Sequence, residues 1–256
     1  MEINILGPFT AQDHGVSIVP SAAKPRQLLA LLALHADRVV TVSTLMEELW
    51  GESIPRSAAT TLQTYILQLR RKIADALVDD PTRQAKDVLE TRHGSYILNV
   101  GLGTLDYMKF EQLVESGRRA AAVGDHQGAS QQYGQALALW RGPALVDVRV
   151  GSVLELEALR LEERRMSALE RRIEADLEIG RHAELIPELR VLVAQQPLNE
   201  NFCAQLMVAL QGAGNPWRAL EAYQRLRSCL VRELGLEPSV KLQRIQQAVL
   251  TGRPVG

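Results

Sequence analysis

The chain has 256 residues, of which 46% are hydrophobic and 23% are charged, and its formal net charge is −1. This length suffices for one large domain or two ordinary ones, and the apolar fraction excludes a largely disordered chain. Residues 1–100 hold 10 Lys/Arg against 11 Asp/Glu, and the remainder hold 19 against 19. A broadly basic nucleic-acid-binding protein is thereby excluded, so any such function depends on the placement of individual charges.

Apolar runs and reactive side chains narrow the class further. The longest apolar run, Leu28–Leu34, is far shorter than the ~18 residues of a membrane span. The N-terminus also lacks the basic region of a signal peptide, so we expect a cytoplasmic protein with no membrane partner. Cys203 and Cys229 lie in helical patterns and are interpreted as buried hydrophobic residues. The five histidines are scattered, and the common nucleotide-binding, hydrolase and metalloprotease motifs do not occur. We therefore predict no enzyme activity, no metal and no cofactor.

The first hundred residues alternate between strand and helix patterns. EINILG and VSIVP are predicted strands separated by the turn signal QDHG, and KPRQLLALLALHADR is a predicted helix. The short strand VVTV precedes a short helix, STLMEELW, with Ser43 as the predicted N-cap. GESIPR then breaks the chain with Gly51 and Pro55.

A longer helix, Ser57–Leu77, follows this break. Behind it, VLETRHGSYILNV contains two β-rich runs joined by RHGS, which predicts a hairpin. A short helix joined by a tight break to a longer helix is typical of the helix-turn-helix, and a hairpin directly behind it corresponds to a wing.

After residue 101 the strand signal stops, and GLGT at 101–104 is interpreted as a linker. Seven helical stretches follow, with glycines at predicted helix ends. Gly180 and Gly214 are 34 residues apart, which is the period of tetratricopeptide repeats. The predicted fold is therefore an α+β winged helix-turn-helix over 1–100, followed by an all-α, tetratricopeptide-like (TPR-like) domain over 101–256 that contains one unusually long helix.

The longer helix has two faces on a helical wheel. An apolar stripe is predicted to pack on the two preceding helices. The opposite side carries hydroxyl, amide and guanidinium groups, which can contact base edges or phosphates: Ser57, Thr60, Thr61, Thr64, Gln68 and Arg71. The alternative is an ordinary solvated face.

Basic side chains flank this face. Arg70, Arg71 and Lys72 near the end of the helix suit phosphate contacts, although favourable charge at a helix C-terminus is an alternative explanation. Arg92 lies at the hairpin tip, where an arginine can enter a minor groove or simply be solvated.

Several long motifs resemble known families. LQTYILQLRRKI and TRHGSYIL are similar to the recognition helix and wing of OmpR-type transcription factors. LDYMKFEQLVESGR, ALALWRGPALVDV and RALEAYQRLRSCLVRELGLEPSVKLQRIQ resemble the bacterial transcriptional activator domain. Together, in this order over essentially the whole chain, they resemble a Streptomyces antibiotic regulatory protein (SARP).

The resemblance implies an activator of a secondary-metabolite gene cluster, acting on nucleoid DNA. It would bind direct repeats in promoter DNA near the −35 region as a side-by-side dimer, and would recruit RNA polymerase holoenzyme, partly through the primary σ factor. In the family, positions matching Lys24 and Arg26 can touch the DNA backbone.

The resemblance also implies that the loop Trp50–Arg56 meets polymerase. The residues expected to do so are Trp50, Glu52, Ser53 and Arg56. The alternative is a simple turn with Trp50 in the core. Leu67 and Gln68 stand where many OmpR-type helices have basic residues, a departure that reduces the expected phosphate contacts.

Two other functions stay open at this point. A helical-repeat scaffold without specific DNA binding would have the same second half. A sensor of a pathway metabolite would use the repeat groove, although no residue pattern marks a ligand site.

Overall fold

The computed structural model describes residues 1–78, 80, 82–101 and 103–252. Two compact units are present. The first contains Met1–Gln112 and Ala136–Arg165, and the second contains Leu113–Gln135 together with the described residues from Met166 onward. The domain boundary at residue 100 stays a prediction, and each compact unit contains two separate stretches of chain.

A four-stranded sheet in the first unit contains β1 (Glu2–Asn4), β2 (Thr10–Asp13), β3 (Val16–Ser17) and β7 (Thr104–Leu105) in the order β3-β2-β1-β7. β1 is antiparallel to β2 and parallel to β7. The observed reversal at His14–Gly15 lies within the predicted turn QDHG, but the prediction missed β2, which includes Gln12 and Asp13 of that stretch. The linker interpretation of 101–104 was also wrong at its end, since Thr104 pairs with Glu2 in the sheet.

The helix-turn-helix contains α1 (Ala23–Leu34), α2 (Val42–Trp50) and α3 (Ala58–Ala76), with β4 (Val40–Thr41) leading into α2. The predicted long helix is confirmed to within one residue at each end. Ser43 is not the N-cap of α2. The N-cap is Thr41, two residues earlier, and its hydroxyl accepts the hydrogen bond from the Thr44 backbone N–H.

The wing follows a short helix, α4 (Ala85–Val88), and consists of β5 (Leu89–Arg92) and β6 (Ser95–Leu98). These strands and β4 form a second sheet in the order β4-β6-β5. The turn residues His93 and Gly94 have φ angles of +49° and +71°. Positive φ at both central residues matches the twist of the flanking strands, so the predicted hairpin is confirmed.

The apolar stripe of α3 packs on α1 and α2, as predicted. Leu62, Ile66, Leu69 and Ile73 are essentially inaccessible to solvent, as are four leucines of α1: Leu28, Leu29, Leu31 and Leu32. Burying a leucine or isoleucine side chain contributes roughly 1.5–3 kcal/mol. This packing fixes the rotation of α3 about its axis, and therefore decides which of its residues are exposed.

Seven helices follow β7, as the sequence predicts: α5 (Asp106–Ala122), α6 (His126–Leu137), α7 (Ser152–Glu178), α8 (His182–Gln195), α9 (Glu200–Gly212), α10 (Pro216–Leu234) and α11 (Val240–Thr251). The predicted unusually long helix is α7, with 27 residues. In the second unit, α9 packs between α8 and α10 and also contacts α11. Gly180 and Gly214, which bracket the α8–α9 pair, adopt the left-handed conformation expected at helix ends.

Candidate nucleic-acid interface

The side of α3 opposite the apolar stripe is open to solvent. Ser57, Thr60, Thr64, Gln68 and Arg71 are exposed, and Thr61 is half-buried. No acidic residue occurs on the helix before Asp75. The face is therefore free of negative charge along most of its length, as a surface that approaches phosphates requires.

Two threonine hydroxyls on this face are already engaged. Thr61 Oγ1 donates to the Ser57 carbonyl and Thr64 Oγ1 donates to the Thr60 carbonyl, each at 3.0 Å. This bonding to the preceding turn is a common choice for a threonine in a helix. Since each hydroxyl proton is used, what these side chains offer outward is a methyl group and an oxygen that accepts hydrogen bonds.

The basic end of α3 divides into two parts. Arg71 is exposed and Lys72 is half-buried, whereas Arg70 lies at the edge of the buried side. Its guanidinium donates to the Leu89 carbonyl from Nε at 3.0 Å and from Nη2 at 2.7 Å, and Nη2 also donates to Thr91 Oγ1 at 2.8 Å. Arg70 thus joins α3 to β5. A DNA contact by Arg70 stays a prediction.

This connection sets the position of the wing. Arg92 follows Thr91 on the same strand and is exposed at the end of β5, next to the His93–Gly94 turn. Because Arg70 holds β5 against the second half of α3, the wing arginine and the exposed face of α3 belong to one packed substructure.

Lys24 and Arg26, predicted to touch the DNA backbone, have partners within the first unit. Lys24 Nζ lies 4.8 Å from the centre of the Trp50 ring, a cation–π distance. Arg26 donates to the Pro20 carbonyl at 3.2 Å and forms a 3.2 Å ion pair with Asp147. A phosphate contact by Arg26 would have to share or displace the Asp147 carboxylate.

The loop between α2 and α3 is exposed. Glu52, Ser53 and Arg56 face solvent, and Ile54 is an apolar side chain that is 51% exposed. Trp50, at the end of α2, is half-buried with Lys24 over its ring. The loop is thus accessible to a partner, while Trp50 is held at its base.

The sequence interpretation missed a buried carboxylate behind the site. Glu48 in α2 is 2% exposed and accepts hydrogen bonds from the backbone N–H groups of Gly151, Val153 and Leu154 at 2.6, 3.0 and 2.9 Å. Gln27 Nε2 in α1 donates to it at 2.6 Å. Glu48 therefore caps the start of α7, where free N–H groups and the helix dipole favour a negative charge.

Gly151 is required at this cap. A Cβ built there would lie 2.1 Å from the Glu48 carbonyl oxygen, so no larger residue fits without moving the backbone. The helix-turn-helix is consequently attached to a segment about a hundred residues away, and the local sequence carries no signal of it.

In the part of the chain that the structure describes, no group of three or more His, Cys, Asp or Glu side chains is arranged to hold a metal ion. None of the helices in residues 1–78, 80, 82–101 and 103–252 is long and apolar enough to cross a membrane.

Comparisons with known proteins agree with this architecture. Residues 18–96 match the family described as transcriptional regulatory protein, C terminal, and residues 105–250 match the bacterial transcriptional activator domain. Regulatory protein DnrI of Streptomyces peucetius is 52% identical over 254 residues, which cover 99% of this chain and 93% of that protein. Transcriptional regulator RedD of Streptomyces coelicolor is 36% identical over 255 residues, which cover 100% of this chain and 72% of that protein.

A solved structure has the same fold. Mycobacterium tuberculosis EmbR, in complex with a low affinity phosphopeptide, superposes with a TM-score of 0.91 at 30% identity. The superposition covers all of this chain and 66% of that one, so this chain spans just under two thirds of EmbR. The two matched families, in this order over nearly the whole chain, establish that the protein belongs to the Streptomyces antibiotic regulatory protein family of DNA-binding transcriptional activators.

Proposed function

We propose that this protein activates an antibiotic or related secondary-metabolite gene cluster by binding direct repeats near the promoter −35 region and recruiting RNA polymerase there. It would act in the cytoplasm, on nucleoid DNA. The observation that carries the proposal is the exposed, acid-free face of α3, in a family of transcriptional activators that includes a 52% identical relative.

In this proposal α3 enters the major groove and the wing reaches the adjacent minor groove. Gln68 suits bidentate hydrogen bonding to adenine and Arg71 to guanine, because their donor and acceptor spacings match those base edges. Arg92 at the hairpin tip supplies the minor-groove contact. Contacts to phosphates or neighbouring bases are proposed for Lys72, Ser57 and Thr60.

The affinity of one protomer is expected to be modest. About four to six neutralised phosphates would give a salt slope near −4 to −5. Two protomers side by side on direct repeats would double the contacts, and their mutual contact would raise the effective concentration of the second. Direct repeats require a head-to-tail interface rather than a two-fold one.

The exposed loop between α2 and α3 is the proposed polymerase contact. Glu52, Ser53 and Arg56 are available to a partner, and Ile54 adds apolar area. The primary σ factor is the proposed subunit on this side. The helical second unit is a further candidate surface for polymerase.

Binding is tested first, by fluorescence anisotropy on a promoter fragment from the gene cluster. Gln68→Ala is compared with Gln63→Ala, because both glutamines are exposed on α3 but Gln63 lies to the side of the proposed face. Similarly, Arg92→Ala is compared with Arg38→Ala, another exposed arginine. We expect losses of about tenfold or more for Gln68 and Arg92 and almost none for the controls. If the wild type binds no promoter DNA even at low salt, the scaffold function is favoured instead.

Footprinting tests the dimer. Protection of two repeats that appears over one narrow concentration range is expected. One protomer that fully protects a single repeat at physiological salt would contradict cooperative binding.

Run-off transcription tests recruitment. Glu52→Ala and Arg56→Ala are expected to reduce activated transcription while leaving promoter affinity unchanged. If both activities fall together, the loop acts in DNA binding or folding, and the polymerase contact must be sought elsewhere.

A further inference from the structure

Leu67 is a large apolar side chain at one edge of the proposed DNA-facing side of α3, about halfway along the helix. It is 50% exposed, one turn from Thr64 and one turn from Arg71. At ~100° per residue, Thr60, Thr64, Leu67 and Arg71 fall within about 60° of one another. Leu67 therefore places an apolar side chain next to the groups proposed to contact bases.

Thr64, one turn before Leu67, adds a second apolar group to this surface. Thr64 Oγ1 donates to the Thr60 carbonyl at 3.0 Å, so its proton is unavailable to a base. The methyl group of Thr64 and the isobutyl group of Leu67 are then adjacent along the helix. Neither group offers a hydrogen-bond donor to a base edge.

In the major groove, only one base presents an apolar group that matches these two apolar side-chain groups. Thymine carries a C5-methyl group, whereas the corresponding edges of cytosine, adenine and guanine carry hydrogen or polar atoms at the groove surface. Leu67 placed against cytosine would cover the N4 amino group without accepting its hydrogen bond. Burial of polar groups without a partner is unfavourable, so Leu67 both favours thymine and disfavours cytosine at this position.

We infer that Leu67, with Thr64 beside it, is a specificity-determining residue that reads the methyl group of a thymine in each repeat of the operator. The inference rests on the proposed function, since it requires α3 in the major groove. Leu67 otherwise only marks a position where many OmpR-type helices have a basic residue. The inference gives this leucine a function of its own. Removal of one buried methyl group corresponds to roughly a fourfold change in Kd.

The test removes single methyl groups from the DNA. Each thymine in the footprinted operator is replaced in turn by deoxyuridine, which differs only in lacking that methyl. Kd is measured for the wild type, Leu67→Ala, and the control Gln63→Ala. We expect roughly fourfold weaker binding at one thymine per repeat for the wild type and the control, and no further loss at that position for Leu67→Ala.

A second arm restores the methyl group on another base. Replacing the sensitive T·A pair by C·G should weaken wild-type binding, and 5-methylcytosine at the same place should recover part of the loss. Thermal melting of Leu67→Ala verifies its fold, which should be unaffected because the side chain is half exposed.

The outcomes are distinguishable. Wild-type binding that is insensitive to every deoxyuridine, or equal losses at the sensitive position for the wild type and Leu67→Ala, would refute the inference while leaving the proposed function intact. A sensitivity that disappears in Thr64→Ser but persists in Leu67→Ala would likewise refute the assignment to Leu67. Absence of any bound operator would refute both the inference and the proposed function.

Discussion

Replacement of Glu48 by alanine tests whether the DNA-binding unit depends on a segment distant in the sequence. The carboxylate is 2% exposed and accepts three backbone N–H groups at the start of α7. Hydrogen bonds to charged groups contribute about 1.5–3 kcal/mol each. Three such bonds would suggest at least ~4.5 kcal/mol, and water entering the vacated space lowers this, so we expect a loss of about 3–4 kcal/mol.

The expected loss is a large part of the stability of a typical domain, which is about 5–15 kcal/mol. For a unit of this size it corresponds to a decrease in melting temperature of roughly 6–16 °C. Glu48→Gln keeps an oxygen acceptor but loses the negative charge, so it should lose about half as much. Glu163→Ala is the control, since Glu163 is exposed on the same helix α7 and its removal should change stability by less than about 0.5 kcal/mol.

Urea unfolding monitored by tryptophan fluorescence measures this effect. Trp50 and Trp140 belong to the first unit, and Trp217, which belongs to the second, is replaced by phenylalanine in every variant so that only the first unit is observed. Trp217 is 61% exposed, so this replacement should be mild. A loss below about 1 kcal/mol for Glu48→Ala would show that water or another group satisfies the α7 cap and that the reasoning is wrong.

Three further predictions follow from individual contacts. Arg70→Met should lower stability by about 1–2 kcal/mol and weaken promoter binding without changing the salt slope. Lys72→Met, which removes a proposed phosphate contact, should instead reduce the slope by about 1. A reduced slope for Arg70→Met would show that Arg70 contacts a phosphate. Burial raises the pKa of the Cys203 thiol to about 12, whereas Cys229 is only half-buried. At pH 8, only Cys229 should therefore react with a thiol reagent until denaturant is added. Reaction of both thiols in the native protein would contradict this prediction. Hydrogen bonds from Arg118, and then from Arg119, lower the pKa of Glu115 to about 2 from 4.5. Because the folded-state pKa is depressed, the stabilisation by this carboxylate is complete above about pH 4.5 and is lost as pH falls towards 2. A carbon-13 NMR titration should show the depressed pKa of Glu115 in the wild type and a higher pKa in Arg118→Gln. An ordinary pKa in the wild type, or an unchanged pKa in Arg118→Gln, would contradict this prediction.

Local patterns predicted the helix-turn-helix well because its signals are local. The apolar spacing of α3 defines its buried stripe, and the Arg-His-Gly-Ser stretch suits a two-residue reversal with positive φ at its centre. The exposed face of α3 follows directly, because a helix that buries one side must present the other.

The errors occurred where longer-range pairing decides the structure. β2 contains Ala11, Gln12 and Asp13, which have weak strand propensity, and it forms because β1 and β3 pair with it on either side. β7 has two residues and exists through parallel pairing with β1. Thr41 and Ser43 are both suitable caps, and the end of β4 decides between them.

Two residues behind the candidate site illustrate the same limit. Sequence alone groups Arg70 with the phosphate contacts. Arg70 is four residues from the buried Ile66, which places it at the edge of the apolar stripe, but nothing local identifies its acceptors in β5. Glu48 looks like an ordinary helical glutamate, and its backbone partners at the start of α7 lie more than a hundred residues away. A single sequence contains no information that brings them together.

The division of the first unit into two stretches of chain has a consequence for protein synthesis. Gln112 ends one stretch and Ala136–Arg165 forms the other, so a nascent chain must extend about forty residues beyond the first stretch before Glu48 meets the N-terminus of α7. At ~5–20 residues per second, the ribosome needs roughly 2–8 seconds for this extension. During that interval the Glu48 carboxylate lacks the backbone N–H groups that donate to it in the folded protein, and chaperones that hold incomplete chains would act on the helix-turn-helix then.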